Sequence, residues 1–80
     1  MVIEERIVKN IARNMKAARE QKKWSQARAA EACDMSDRAY GEIERGNSNP
    51  KLNTLLKICR GLEMTFAQLI ADPVEEKAIC

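Results

Sequence analysis

SQARAAEACDMSDRAYGEIERG, residues 25–46 of an 80-residue chain, decides the fold. It reads as two short helices joined by a tight turn. Ser25 is a good N-cap before Gln26, and the helix it opens runs through Ala27, Ala29, Ala30 and Ala32 to Cys33. Small residues dominate that helix, so a neighbour can come very close. Asp34 and Met35 make the turn. Ser36 is a second N-cap, because its hydroxyl can accept from free N–H groups two or three residues on. The helix after it carries Ala39, Tyr40 and Ile43, an i, i+1, i+4 set that predicts one apolar face. The opposite face holds Asp37, Arg38, Gly41, Glu42 and Arg45. Gly46 follows as a C′ glycine. A helix of small residues, a tight turn and a capped helix with long outer side chains suggest a helix-turn-helix.

On the N-terminal side of this stretch, Ile3, Ile7, Val8, Ile11, Met15 and Ala18 repeat at helical spacing. They predict a first helix from about Ile3 or Arg6 to Gln21. Arg6, Lys9, Arg13 and Lys16 form a stripe opposite that face; it can touch phosphate, but a solvated helix face is the plainer reading. Lys22 and Lys23 end the helix, where cations suit the dipole. Trp24 precedes a cap, so it should pack back as core or core edge rather than stack on a base.

On the C-terminal side, Asn47, Ser48 and Asn49 form a polar loop, and Pro50 delays the next helix. Leu52, Leu55, Leu56, Ile58, Cys59 and Leu62 define a fourth helix, roughly Leu52 to Leu62. Thr65 and Gln68 make a T-x-x-Q capping box. It opens a fifth helix from Phe66 to about Ala71, with Phe66 and Leu69 as core and Ile70 left on the other side. Asp72-Pro73 ends it. No repeat or low-complexity segment is present.

Composition narrows the function. Eighty residues make one domain with one modest core, without room for a ligand-sensing domain. Aromatics are 4% of the chain, so the core must be aliphatic. No apolar run approaches the ~20 residues of a membrane span, and the N-terminus lacks the h-region of a signal peptide. The three cysteines have no C-x-x-C spacing and histidine is absent, so neither a metal site nor any other cofactor is expected. Cys33 and Cys59 read as reduced core thiols; Cys80 is terminal. The net charge of +2 is unevenly spread: eight basic residues and one acidic lie from Arg6 to Arg28, four acidic and one basic from Glu63 to Cys80. The N-terminal half can face a polyanion; the C-terminal end should not.

Ser25-Gln26, Ala30, the turn at 34–35, Ser36, the I-E-R-G of residues 43–46 and Pro50 together resemble the phage Cro- and repressor-type helix-turn-helix family, often called XRE. The resemblance covers about Ile7 to Ala71, and I-E-R-G after a Ser-Gln-opened helix is its most specific part. Asp34 and Glu63 stand where the family has glycine, and Ala29 where it has leucine. An aspartate in the left-handed conformation costs about 1 kcal/mol. The implied fold is all-α: a compact five-helix bundle containing the helix-turn-helix, a single domain of residues 1–80 with its core at about 7–71 and a tail at 72–80.

The resemblance also implies roles. Arg19 and Glu44 match a structural ion pair between the first and third helices. Asp37, Arg38, Gly41 and Glu42 match the positions that read bases from the major groove. Arg38 is the strongest candidate, since a guanidinium fits guanine O6 and N7 together. Gly41 lets the backbone approach closely. Asp37 has a second explanation in the helix dipole, and Glu42 is equally well read as a base contact, accepting from cytosine N4, or as an i, i+4 partner of Arg38. Gln26, Ser36, Arg45, Asn47 and Asn49 match phosphate contacts, and Lys23 and Lys51 can add to them.

Proteins of this type act as homodimers on palindromic sites with half-sites about 34 Å apart. Met64, Ile70, Val74 and Ile79 are the surplus apolar residues for such a surface, unless the tail covers the monomer's own core. The expected function is a cytoplasmic, nucleoid-associated regulator of transcription that binds double-stranded DNA. The alternative is an antitoxin with a protein partner and a merely autoregulatory helix-turn-helix. Catalysis is not expected: histidine, metal-ligand spacing and a phosphate loop are all missing from the sequence.

Overall fold

The computed structural model describes residues 3–72, and these form five α-helices. They are α1 (Ile3–Gln21), α2 (Gln26–Ala32), α3 (Asp37–Glu44), α4 (Leu52–Leu62) and α5 (Phe66–Ile70). α1 is the longest and packs against α3, α4 and α5, while α2 packs on α3 and α4. Glu4 and Glu5 in its first turn complement the helix dipole. Its apolar stripe supplies Ile11 and Met15 to the core, together with Ala29, Ala30, Tyr40, Ile43, Ile58, Leu62 and Leu69.

Ala29 and Ala30 of α2 are fully buried, so α2 packs backbone-close, as its small residues predict. α4 comes close at Gly61. A Cβ placed on Gly61 would lie 2.7 Å from Cys33 Cα and 2.8 Å from the Ala32 carbonyl oxygen. Cys33 and Cys59 are buried free thiols. Burial, and then the nearness of Cys59, push the Cys33 thiol up to about 11, so it stays protonated and unreactive at neutral pH.

α5 is five residues long, too short to stand alone. Its start is held by the Thr65–Gln68 capping box, with both reciprocal bonds formed. Its end is held from α1. Asn14 Nδ2 donates to the carbonyls of Leu69 and Ala71, both at 2.7 Å, and Asn10 Nδ2 donates to the Ile70 carbonyl at 3.2 Å. Asn10 and Arg6 also donate to the Asp72 carboxylate.

Several apolar residues differ from their expected placement. Phe66 is 41% exposed rather than core, because Leu69, with part of Ile70, fills the contact that the short α5 makes. Leu52 and Ile3 sit in first turns and are 62% and 68% exposed, respectively. Ala39 is exposed; Tyr40 and Ile43 carry the buried face of α3 without it. Ile70 and Met64 are not left over: both are partly buried against the core. Val74, Ile79 and Cys80 lie outside the described residues.

Three helices end in a left-handed residue that is not glycine: Lys23 after α1, Asp34 after α2 and Glu63 after α4, with φ of 60°, 58° and 59°. Two of the three are positions where glycine was expected, so the backbone keeps the turn while the side chain departs. Gly46 takes the same conformation after α3, with φ of 79°.

Candidate nucleic-acid interface

The outer face of α3 is set by what holds its two ends. At the start, the Ser36 hydroxyl accepts from the Ala39 N–H at 3.1 Å. The turn before it closes when Met35 N–H donates to the Ala30 carbonyl at 2.9 Å. Ser25 caps α2 in the same way, accepting from Arg28 N–H at 3.1 Å.

At the other end, Glu44 joins three elements. Arg19 of α1 donates through Nε and Nη2 to the two oxygens of Glu44, each at 2.9 Å, and through Nη1 to the Trp24 carbonyl. Gln26, the first residue of α2, donates to Glu44 Oε1 at 2.9 Å. The expected ion pair is present, and the Glu44 side chain is only 3% exposed. Burial alone would raise the Glu44 carboxyl, but hydrogen bonds from Arg19 and Gln26 outweigh it and hold the group below the ordinary glutamate value. The Tyr40 hydroxyl is buried with no well-formed hydrogen bond. Burial, and then the adjacent Glu44 carboxylate, push its ionisation far up.

Trp24 is half-buried at the edge of the core, as a residue before a cap should be. The charged ends of Lys22 and Arg28 stand over its ring, 5.2 and 5.1 Å from the centroid. Its ring is therefore engaged within the protein.

Of the expected base-reading residues, Asp37 and Arg38 are exposed and Glu42 is half-buried. Glu42 does not pair with Arg38. Its Oε2 accepts from Arg45 Nη2 at 3.1 Å, an i, i+3 pair. Gly41 does not present bare backbone: it is buried, and the atoms nearest its missing Cβ all belong to the Arg45 guanidinium. The closest is Nη1 at 3.1 Å, the mobile end of a half-exposed side chain that can shift. Gly41→Ala should therefore stabilise the fold by about 0.5–1 kcal/mol through helix propensity. A urea midpoint below that of the wild type would show that Arg45 cannot give way.

Ser36, Arg38, Glu42, Asn47, Asn49 and Lys51 line one open groove between α3 and the loop that leads into α4. Gln26 lies apart from it at the start of α2, tied to Glu44, and Lys23 is exposed in the turn before α2. Ala39 and Thr54 also line the groove and had not been expected there. Ala39 sits three residues from both Ser36 and Glu42, so a wheel centred on those two would have placed it. Among the described residues, no group of histidine, cysteine, aspartate and glutamate is placed to hold a metal, and no helix is long and apolar enough to cross a membrane.

Residues 15–69 match the helix-turn-helix family HTH_3. The chain belongs to that family. The match runs from Met15 in the middle of α1 to Leu69 in α5, so it takes in both halves of the motif and the helices that brace it. One curated relative is the HTH-type transcriptional regulator SutR of Escherichia coli K12, 38% identical over 69 residues. The alignment covers 86% of this chain and 39% of SutR, so the chain spans about two fifths of that relative's length.

Solved structures agree on the architecture. An HTH_3 family transcriptional regulator from Vibrio cholerae superposes with a TM-score of 0.77 at 33% identity, covering 82% of this chain and 37% of that one. A hypothetical transcription factor, NHTF, from Neisseria superposes with a TM-score of 0.82 at 26% identity. There the coverage is 100% of this chain and 92% of the other. The all-α, five-helix expectation therefore holds among the described residues, and the solved structures superpose on that fold.

Proposed function

We propose that this chain is a sequence-specific DNA-binding regulator of transcription, of repressor or controller type, that lays α3 in the major groove. One observation carries the reading: α3 is capped and turned out beside a loop whose Asn47, Asn49 and Lys51 share a groove with the exposed Arg38. Among the described residues, Arg38 has no carboxylate within salt-bridge distance, so its guanidinium is available to guanine. Lys23, Gln26, Ser36, Asn47, Asn49 and Lys51 supply phosphate contacts around it. Asp37 sits in the first turn, where the helix dipole favours its charge.

Binding is proposed to be as a homodimer on a palindromic operator in the cytoplasm. Met64 and Ile70 already spend part of their surface on the monomer's core, and Phe66, exposed at the start of α5, joins them at the dimer surface. Selection from random duplex DNA at two salt concentrations tests the reading. Enrichment of a palindrome with a steep salt slope is the expected result. Arg38→Ala should relax the preference at one position in each half-site by about 5- to 150-fold. An unchanged preference in that variant would remove Arg38 from the reading face.

A further inference from the structure

We infer that Arg45 is a base-reading residue, with Gly41 as the seat that admits its guanidinium and Glu42 as the side chain that holds it. The inference rests on the DNA-binding reading above. It changes the role of a residue expected to grip phosphate beyond the end of α3.

Arg45 is the C-cap residue of α3. A charge carried past that end would meet the DNA backbone. Long side chains on a helix instead point back toward its N-terminus, over residues three and four positions earlier. Arg45 does so here. Its Nη1, Nη2 and Cζ would lie 3.1, 3.4 and 3.6 Å from a Cβ on Gly41. Its guanidinium is therefore drawn back by about one helical turn, ~5 Å along the axis, to the middle of the outer face. That is the stripe that carries Arg38, seven residues before Arg45 and so on nearly the same line of the helix.

Two features favour a base edge over a phosphate. Gly41 leaves a hollow that any side chain would fill, and Arg45 occupies it. Glu42 Oε2 accepts from Nη2 at 3.1 Å, which fixes the plane of the fork and offsets part of its charge. A partly neutralised guanidinium loses some attraction for phosphate but keeps its directional donors, including both on Nη1. It remains 53% exposed, so a partner can reach it. The ligand chemistry that fits is a guanine edge, which accepts two parallel N–H groups at O6 and N7.

The test is selection from random duplexes followed by sequencing, with the wild type and Arg38→Ala, Arg45→Lys and Gly41→Ala. Thermal melting by circular dichroism confirms that each variant is folded. The wild type should prefer guanine at a position that Arg38→Ala leaves intact. Arg45→Lys keeps the charge but not the fork, so it should reduce that preference by about 5- to 150-fold with an unchanged salt slope. Gly41→Ala should weaken the same position by displacing the guanidinium. A wild-type base preference in Arg45→Lys, with only a uniform loss of affinity, would return Arg45 to phosphate and overturn the inference. If the wild type itself enriches no sequence, the DNA-reading proposal fails, and this inference falls with it.

Discussion

Glu44→Ala will remove about 3–5 kcal/mol of folding stability, since it leaves the Arg19 guanidinium in a largely buried site without its counter-charge. A domain of this size has about 5–15 kcal/mol in total, so the variant should be barely folded at 25 °C. The loss is large because three donors converge on one carboxylate. Arg19 Nε and Nη2 and Gln26 Nε2 all lose their acceptor at once. Urea unfolding measures it, and a loss below 1 kcal/mol would mean that water replaces Glu44 at no great cost. Arg19→Met with Glu44→Leu should recover most of the loss, because a packed apolar pair of similar volume often matches a buried ion pair.

The same carboxylate makes stability depend on pH. Its folded-state value is depressed, so its contribution is fully present above the unfolded value of about 4.3. It is lost as pH falls through the folded value. Asp72 and Glu63 shift in the same direction, but both are exposed and screened by solvent and should contribute little. The urea midpoint of the wild type should therefore fall more steeply below pH 4.3 than that of Glu44→Gln.

Gly61→Ala is the second large effect, a loss of about 1–3 kcal/mol. Replacing a helical glycine with alanine ordinarily gains about 1 kcal/mol, so the sign alone is informative. The new methyl would sit 2.5 Å from Cys33 Sγ and nearly as close to two backbone atoms of α2. A thiol can rotate, but the Ala32 carbonyl and Cys33 Cα move only if α2 does. Adding Cys33→Ala should therefore rescue little. A neutral or stabilising Gly61→Ala would show that α2 and α4 can separate freely. The contrast with Gly41, where the neighbour is the end of a flexible side chain, is a matter of which atoms stand in the way.

The helix-turn-helix was legible because its determinants are local. Ser25, Ser36 and the Thr65–Gln68 box bond to backbone three residues on, and Asp34 needs only its own φ. Other features depend on partners that periodicity does not name. Leu52 and Phe66 have apolar side chains at helical positions, but only the packing of α4 and α5 decides which stripe is covered. Asn10 and Asn14 gave no signal on the helix they belong to, because the carbonyls they satisfy lie 55 to 60 residues away. Arg45 was placed on the outer face correctly, but the direction of its side chain follows from the missing Cβ at Gly41, a property of two residues together. Of the two readings open for Glu42, a base contact or a pair with Arg38, the pair is the one whose partner differs: Arg38 and Arg45 are both within reach on a wheel, and Arg45 has a hollow to lie in.

The asparagine clamp between α1 and α5 has a consequence for how the protein is made. α1 leaves the ribosome well before α5, so Asn14 waits for the carbonyls of Leu69 and Ala71. At a synthesis rate of about 5–20 residues per second, the interval between the end of α1 and the arrival of α5 is on the order of 3–10 s. During that time the Ile11 and Met15 stripe has no finished cover. A nascent chain that has not yet presented residues 69–71 therefore lacks the acceptors for Asn14 and the Leu69 side chain that joins the same core.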